Sequence, residues 1–177
     1  SVSENAVNDV CPPGHYCPEG SPGPIQCPPG TNTSSYGLSL ESQCEACVKG
    51  YYCPLSGTVL ATRKCLAGYY CPSGTANPTD DDSLVCPTGS YCPVGSDYPI
   101  PCPAGTFFNG TNADNVAQCL SCLVGSYCPE ASINPTPCAA GSYRTNLGGQ
   151  VQANCSTCPT GFYCQLGSVN PAPCPPG

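Results

Sequence analysis

Six times the chain writes Cys, two residues, Gly, one residue, Tyr, Cys: Cys11 to Cys17, Cys47 to Cys53, Cys65 to Cys71, Cys86 to Cys92, Cys122 to Cys128 and Cys158 to Cys164. A fixed cysteine spacing copied in tandem marks a small stapled unit, not a domain grown around one interior. Composition explains the staples. Leu, Ile, Val and Phe make up about 15% of the chain, under the roughly 20% below which a sequence rarely fills a core. Cysteine supplies 19 of 177 residues, with 23 Pro and 20 Gly. At about 2–4 kcal/mol each, disulfides can supply ordering that apolar burial does not. The compartment this implies is extracellular or cell-surface, because cytosolic thiols stay reduced.

A second, longer unit opens with Cys, two residues, Gly, Thr or Ser: Cys27 to Cys44, Cys102 to Cys119 and Cys138 to Cys155. From Cys11 the order is short, long, short, short, short, long, short, long, short, and where the two kinds alternate the period is 36 residues. The expected organisation is a tail over 1–10, a short-plus-long repeat over 11–46, and short modules over 47–64 and 65–85. Further short-plus-long repeats follow over 86–121 and 122–157, with a truncated repeat over 158–177. Cys174-Pro-Pro-Gly177 opens another long unit, so the chain reads as a fragment whose partner for Cys174 lies beyond Gly177. Ser1 to Val10 lacks the basic end and apolar stretch of a signal peptide, and no run reaches the ~20 apolar residues of a membrane span.

The fold class expected is an elongated array of small disulfide-rich repeats with little regular structure beyond short β-hairpins. Pairing within each unit leads: Cys11–Cys17, Cys27–Cys44, Cys47–Cys53, Cys65–Cys71, Cys86–Cys92, Cys102–Cys119, Cys122–Cys128, Cys138–Cys155 and Cys158–Cys164, with Cys174 unpaired. Short units occur with or without a long one after them, as self-closed cassettes should. Spacing alone leaves open the alternative that joins the second Cys of a short unit to the next unit, such as Cys17 with Cys27. The opening Cys-Pro-x-Gly predicts a tight turn with Pro at its second position and Gly at positive φ. Hairpins are expected inside the long units, around Thr106 to Val116 and Ser142 to Val151. The tyrosine before each second cysteine (Tyr16, Tyr52, Tyr70, Tyr91, Tyr127, Tyr163) is expected to lay its ring over the sulfurs. Proline-spaced runs such as Ser21-Pro-Gly-Pro and Asn134-Pro-Thr-Pro predict polyproline II connectors without internal hydrogen bonds.

Cys102-Pro-Ala-Gly-Thr-Phe through Cys119-Leu-Ser-Cys122, and Cys138-Ala-Ala-Gly-Ser-Tyr through Cys155-Ser-Thr-Cys158, resemble the ephrin-receptor-like cysteine-rich repeats. They are also similar to the first submodule of tumour-necrosis-factor-receptor cysteine-rich domains. The resemblance covers nearly all of the chain from Cys11, and it implies elongated arrays with sequential disulfides. Such repeats occur in receptor ectodomains and in large surface and filament proteins of protists and algae. The extra short units and the proline content depart from that pattern and favour a spacer or fibre over a receptor-style ligand surface.

Catalytic, cofactor and metal sites are not expected. The single histidine, His15, sits in a module turn without an acidic or basic partner and reads as a solvated position. Cys44-x-x-Cys47, Cys119-x-x-Cys122 and Cys155-x-x-Cys158 have zinc or redox spacing, but in a disulfide-dense repeat they mark module boundaries. Asp80-Asp81-Asp82 reads as an acidic loop in water. Only Lys49, Arg63, Lys64 and Arg144 are basic, and with net charge −7 the chain has no stripe for nucleic acid or anionic membrane.

Charged residues are only 8% of the chain, so sugars or other chains are expected to cover the surface. Asn32-Thr-Ser34 and Asn109-Gly-Thr111 are acceptors for N-linked sugar, and Asn154-Cys-Ser156 is a weaker one. Thr79, Ser132 and Thr136, close to proline, are candidates for O-linked sugar. The function these features imply is a structural, glycosylated extracellular rod, a segment of a longer repetitive protein that forms or decorates a cell-surface filament. Its partners would be copies of itself or other filament chains. The alternative is a receptor or adhesin ectodomain with a ligand site near residues 47–85.

Overall fold

The computed structural model describes residues 10–175; the tail expected over 1–10 therefore lies, apart from Val10, outside the described residues. Nine modules follow one plan. In each, the fourth and fifth residues after the opening cysteine pair antiparallel with the two residues before the next opening cysteine. His15–Tyr16 thus pairs with Ile25–Gln26, Thr31–Asn32 with Glu45–Ala46, and Tyr51–Tyr52 with Arg63–Lys64. The same register recurs in the Cys86, Cys102, Cys122, Cys138 and Cys158 modules, and the Cys65 module reduces it to one bridge, Tyr69 to Val85. Hairpins therefore occur in short and long modules alike, not in long ones only. In the long modules the return strands are Leu120–Ser121 and Ser156–Thr157, beyond the segments read from sequence.

The turn chemistry sets this register. His15 donates its backbone N–H to Pro12, Thr31 to Pro28 and Thr106 to Pro103 (3.2, 3.2 and 3.1 Å), closing four-residue turns whose third residue is a glycine at φ +75 to +89°. A turn of that kind excludes a side chain bearing a β-carbon at its third position without strain. Pro13 and Pro29 hold the second position of their turns, as expected, whereas in the Cys102 module Pro103 stands at the first position and Ala104 at the second.

The proline-spaced runs are corrected too. Each feeds into a return strand, where Pro101, Pro137 and Pro173 stand opposite Ser90, Ser126 and Phe162. Proline fits because a two-stranded ladder has an outer edge where no N–H is needed.

Sulfur forms the interior. Among the described residues, fifteen of the twenty buried apolar side chains are cysteines; the others are Leu38, Pro78, Leu84, Phe107 and Ala113. Nine bridges close, each inside one module: six span the short spacing and three the long one, Cys27–Cys44, Cys102–Cys119 and Cys138–Cys155. A buried apolar cluster joins Phe107 to the Cys122–Cys128 bridge of the following module. The tyrosines before the second cysteines are only half-buried, and Tyr163 is exposed. Phe107 is a buried aromatic that packs on sulfur, over its neighbour's bridge.

Each long module folds its extra residues around a 3-10 turn, and a side-chain amide just before the closing cysteine fastens it. Gln43 accepts backbone N–H groups from Ser39 and Leu40 (2.7 and 2.9 Å), and Asn154 accepts from Gln150 and Val151 (2.9 and 3.1 Å). Gln118 caps Val116–Gln118 in the same way. The described residues divide into two compact units, one running to Val85 with Val94–Tyr98 added, the other comprising Cys86–Pro93 and everything from Pro99. Both units obey the same module plan.

Candidate functional site at the module junction

What the sequence repeats most faithfully is the joint between one module and the next. With little apolar surface to bury, neighbours are held by backbone groups, which must be paired wherever water is excluded. Four hydrogen bonds recur. The opening cysteine of a module donates to the turn glycine of the module before it, as Cys27 does to Gly14 (2.9 Å) and Cys138 to Gly125 (2.8 Å). That glycine donates forward to the residue six positions after the next opening cysteine: Gly30 to Cys53 and Gly105 to Cys128, both 2.8 Å. In long modules the sixth position is not cysteine, yet Gly14 still reaches Thr33, Gly89 Phe108 and Gly125 Arg144. Short and long modules are thus one backbone with a relocated staple.

The sixth residue in turn donates to the carbonyl of a residue on the next module's second turn: Cys53 to Thr75, Phe108 to Ser132 and Arg144 to Ser168, each 3.0 Å. Finally, the residue before that acceptor donates back to the previous opening cysteine. Gly57 does so to Cys27, Gly74 to Cys47, Gly148 to Cys122, Asn112 to Cys86 and Ala131 to Cys102 (2.8 to 3.0 Å). This last donor is left-handed in every case. Asn112 (φ 64°) and Ala131 (φ 61°) are the two described non-glycine residues with positive φ, and both occupy this position.

Contacts extend to the second neighbour. A β-carbon on Gly30 would stand 2.5 Å from the Gly74 carbonyl oxygen, and one on Gly105 would stand 2.9 Å from that of Gly148. Lys49 pairs with Asp97 across the same interval (3.1 Å), though Lys49 is 72% exposed and the pair adds little.

Sequence reading noticed the first turn of each module and missed the second. Its signal is a Ser or Thr preceded by the left-handed residue, four or five positions after the second cysteine: Ser21, Thr58, Thr75, Ser96, Ser132 and Ser168. The hydroxyl closes the turn, as Thr75 does onto Pro72 (2.7 Å) and Ser132 onto Pro129 (2.6 Å).

The glycan candidates fall in unlike settings. Asn109 and Thr111 are exposed, whereas Asn32 is half-buried in a strand beside buried Thr33. Asn154 is exposed and engaged as a cap. Thr79 and Thr136 are exposed; the hydroxyl of Thr79 donates to Asn77, and that of Ser132 is committed to Pro129. Cys174 is exposed and unpaired, and its N–H donates to Gly161 (3.0 Å).

The Cys-x-x-Cys pairs each belong to two different bridges, Cys44 to Cys27 and Cys47 to Cys53 for example. No group of three or more metal-ligating side chains occurs among the described residues, and no helix among them is long and apolar enough to cross a membrane. His15 Nδ1 lies 3.0 Å from the Pro13 carbonyl. Arg144 spans its own module, donating to the Asn154 and Leu147 carbonyls (2.8 and 3.1 Å). The Tyr16 hydroxyl donates to Glu41 of the next module (3.1 Å), and its acidity falls below that of an ordinary phenol through burial first and then the Glu41 carboxylate. Asp81 caps Asp82–Leu84, and hydrogen bonds from the Ser83 hydroxyl and backbone N–H hold its carboxyl below the ordinary carboxylate value.

Within residues 47–85, open hollows of 350 and 290 Å³ lie beside Asp80, Asp81 and Leu84 and beside Tyr52, Leu60 and Arg63. Neither gathers convergent groups. No family model matches the chain, and no curated protein matches it.

Proposed function

We propose that this chain is a structural segment of an extracellular, glycosylated rod, part of a longer repetitive protein that forms or decorates a cell-surface filament. One observation carries the reading: within each of the two compact units, successive modules meet through the same backbone hydrogen bonds, whatever the side chains. A joint of that kind can be copied to set length without redesign, and a pull along the chain is shared between staple and joint. Nine disulfides accord with an oxidising compartment, and the likeness to ephrin-receptor-like repeats bears on the module type alone. Sugars at Asn32 and Asn109 would hydrate a surface with few charges.

Electron microscopy of the purified native protein tests the proposal. Filaments of regular width support it, and dispersed flexible monomers under native conditions overturn it. The alternative reading is a receptor or adhesin ectodomain with a ligand site near residues 47–85, where two open hollows lie. Deleting 47–85 separates the two, because a spacer keeps partner binding and a binding site loses it.

A further inference from the structure

Asn109-Gly110 is the one place in the chain where asparagine precedes glycine. The Asn109 side chain is exposed, and among the described residues the Gly110 backbone N–H has no hydrogen-bond acceptor. An unbonded amide nitrogen without a flanking β-carbon can reach the preceding side-chain carbonyl carbon. We propose that Asn109 is a site of spontaneous, self-catalysed modification, and that the sugar proposed for its side-chain nitrogen is what blocks it.

In the reaction the Gly110 nitrogen loses its proton to solvent base and bonds to Asn109 Cγ. The Cγ–Nδ2 bond breaks, ammonia leaves, and a cyclic imide forms. Water then opens either imide carbonyl, giving aspartate or isoaspartate, with no oxidant or reductant involved. Sugar on Nδ2 makes the leaving group bulky and crowds the carbonyl; this protective half rests on the glycosylation reading above.

Position makes the modification consequential. Phe108, next to Asn109, accepts from Gly89 (2.8 Å) and donates to Ser132 (3.0 Å), while Asn112 donates to Cys86 (2.8 Å) and Ala113 accepts from Cys92 (2.8 Å). The loop is therefore fastened to neighbouring modules at both ends. Isoaspartate inserts an extra backbone carbon between those fastenings and disturbs the joint of the Cys86 and Cys102 modules. Aspartate adds a charge and leaves the backbone length unchanged.

The test uses the full chain secreted by a host without N-glycosylation, held at mildly alkaline pH and followed by peptide mass spectrometry and isoaspartate-specific methylation. Asn109 should exchange ammonia for water at least tenfold faster than Asn146, which precedes leucine. The aged protein should lose hydrogen-exchange protection at Gly89 and Asn112, and Asn109→Gln should show neither change. Equal rates at Asn109 and Asn146 overturn the proposal. The same chain from a glycosylating host reads the protective half: Thr111→Ala, which removes the sugar and keeps Asn109-Gly110, should restore the fast rate. Absence of sugar on wild-type Asn109 would sink the glycan reading while the sugar-free rates still decide the chemistry.

Discussion

Gly50 and Gly95, two modules apart, meet so closely that a β-carbon on Gly50 would stand 2.7 Å from the Gly95 carbonyl oxygen. Gly50 is also left-handed at φ +78°, and Gly20 holds the same φ with nothing within 4 Å of its would-be β-carbon. The pair separates conformational strain from steric exclusion. Gly20→Ala should cost about 1–2 kcal/mol, the left-handed penalty alone. Gly50→Ala adds an overpacking cost of about 1–3 kcal/mol and should fall well below it in a thermal melt. Equal melting shifts would mean that the second-neighbour contact holds nothing.

Ala131 carries the left-handed strain that glycine avoids at the matching joints. Ala131→Gly should raise stability by about 1 kcal/mol, the relief outweighing the extra freedom glycine gives the unfolded chain. The converse change, Gly95→Ala, meets only Cδ of Lys64 at 3.9 Å and should lose about 1–2 kcal/mol. Chemical denaturation of the two variants beside wild type reads both signs.

Loop entropy and packing disagree about which staple matters most. Cys102–Cys119 closes the longer loop, and entropy alone makes it the costlier to lose, at about 3 kcal/mol. Cys122–Cys128 closes a shorter loop but also covers Phe107 of the preceding module. Replacing Cys122 and Cys128 together by Ala should therefore loosen two modules, with faster hydrogen exchange at Phe108 as well as Cys138. Exchange confined to the Cys122 module would show that Phe107 gains nothing from its neighbour's bridge.

Arg144 occupies the position that cysteine holds in a short module, and its two guanidinium bonds clip the loop to Leu147 and Asn154. Arg144→Ala should cost about 1–3 kcal/mol, in the range of charge-assisted hydrogen bonds. Arg144→Lys should recover little, because one ammonium cannot span both carbonyls. Full stability in the lysine variant would reduce the role to charge alone.

Acid should act on the turn that Asp81 caps. Its folded carboxyl lies below the ordinary value of 3.8, so its contribution is complete above that value and is lost as pH falls through the lower folded one. The Ser83 amide should exchange faster in that window, and Asp81→Asn should remove the dependence while keeping the cap. For Tyr16 the direction reverses: its support is full below the ordinary phenol value of 10.0 and is lost as pH rises through the raised folded one. An acid-insensitive Ser83 amide in wild type would sink the first of these expectations.

Much of the local plan was legible because the repeat tests itself. Cys-x-x-Gly at every module start fixes a turn with glycine at positive φ, and few apolar residues force cysteine inward. The second turn went unread, although Gly-Ser or Gly-Thr follows nearly every second cysteine, because its meaning lies in a partner from another module. The proline runs misled for a related reason. Asn134-Pro-Thr-Pro favours an extended backbone wherever it is placed, and an extended backbone serves a connector or an edge strand equally. Only the Ser126 to Pro137 pairing distinguishes them.

Sequence alone determined the chemistry of the interior, sulfur in place of hydrocarbon, since spacing and composition are properties of the string. Tertiary structure decided how modules meet: which carbonyl faces which N–H, why glycine at position 50 answers to glycine at position 95, and why Thr33, Phe108 and Arg144 can stand where cysteine stands elsewhere. Backbone groups are identical at every residue, so their pairing leaves no trace in side-chain identity except where a β-carbon would stand in the way.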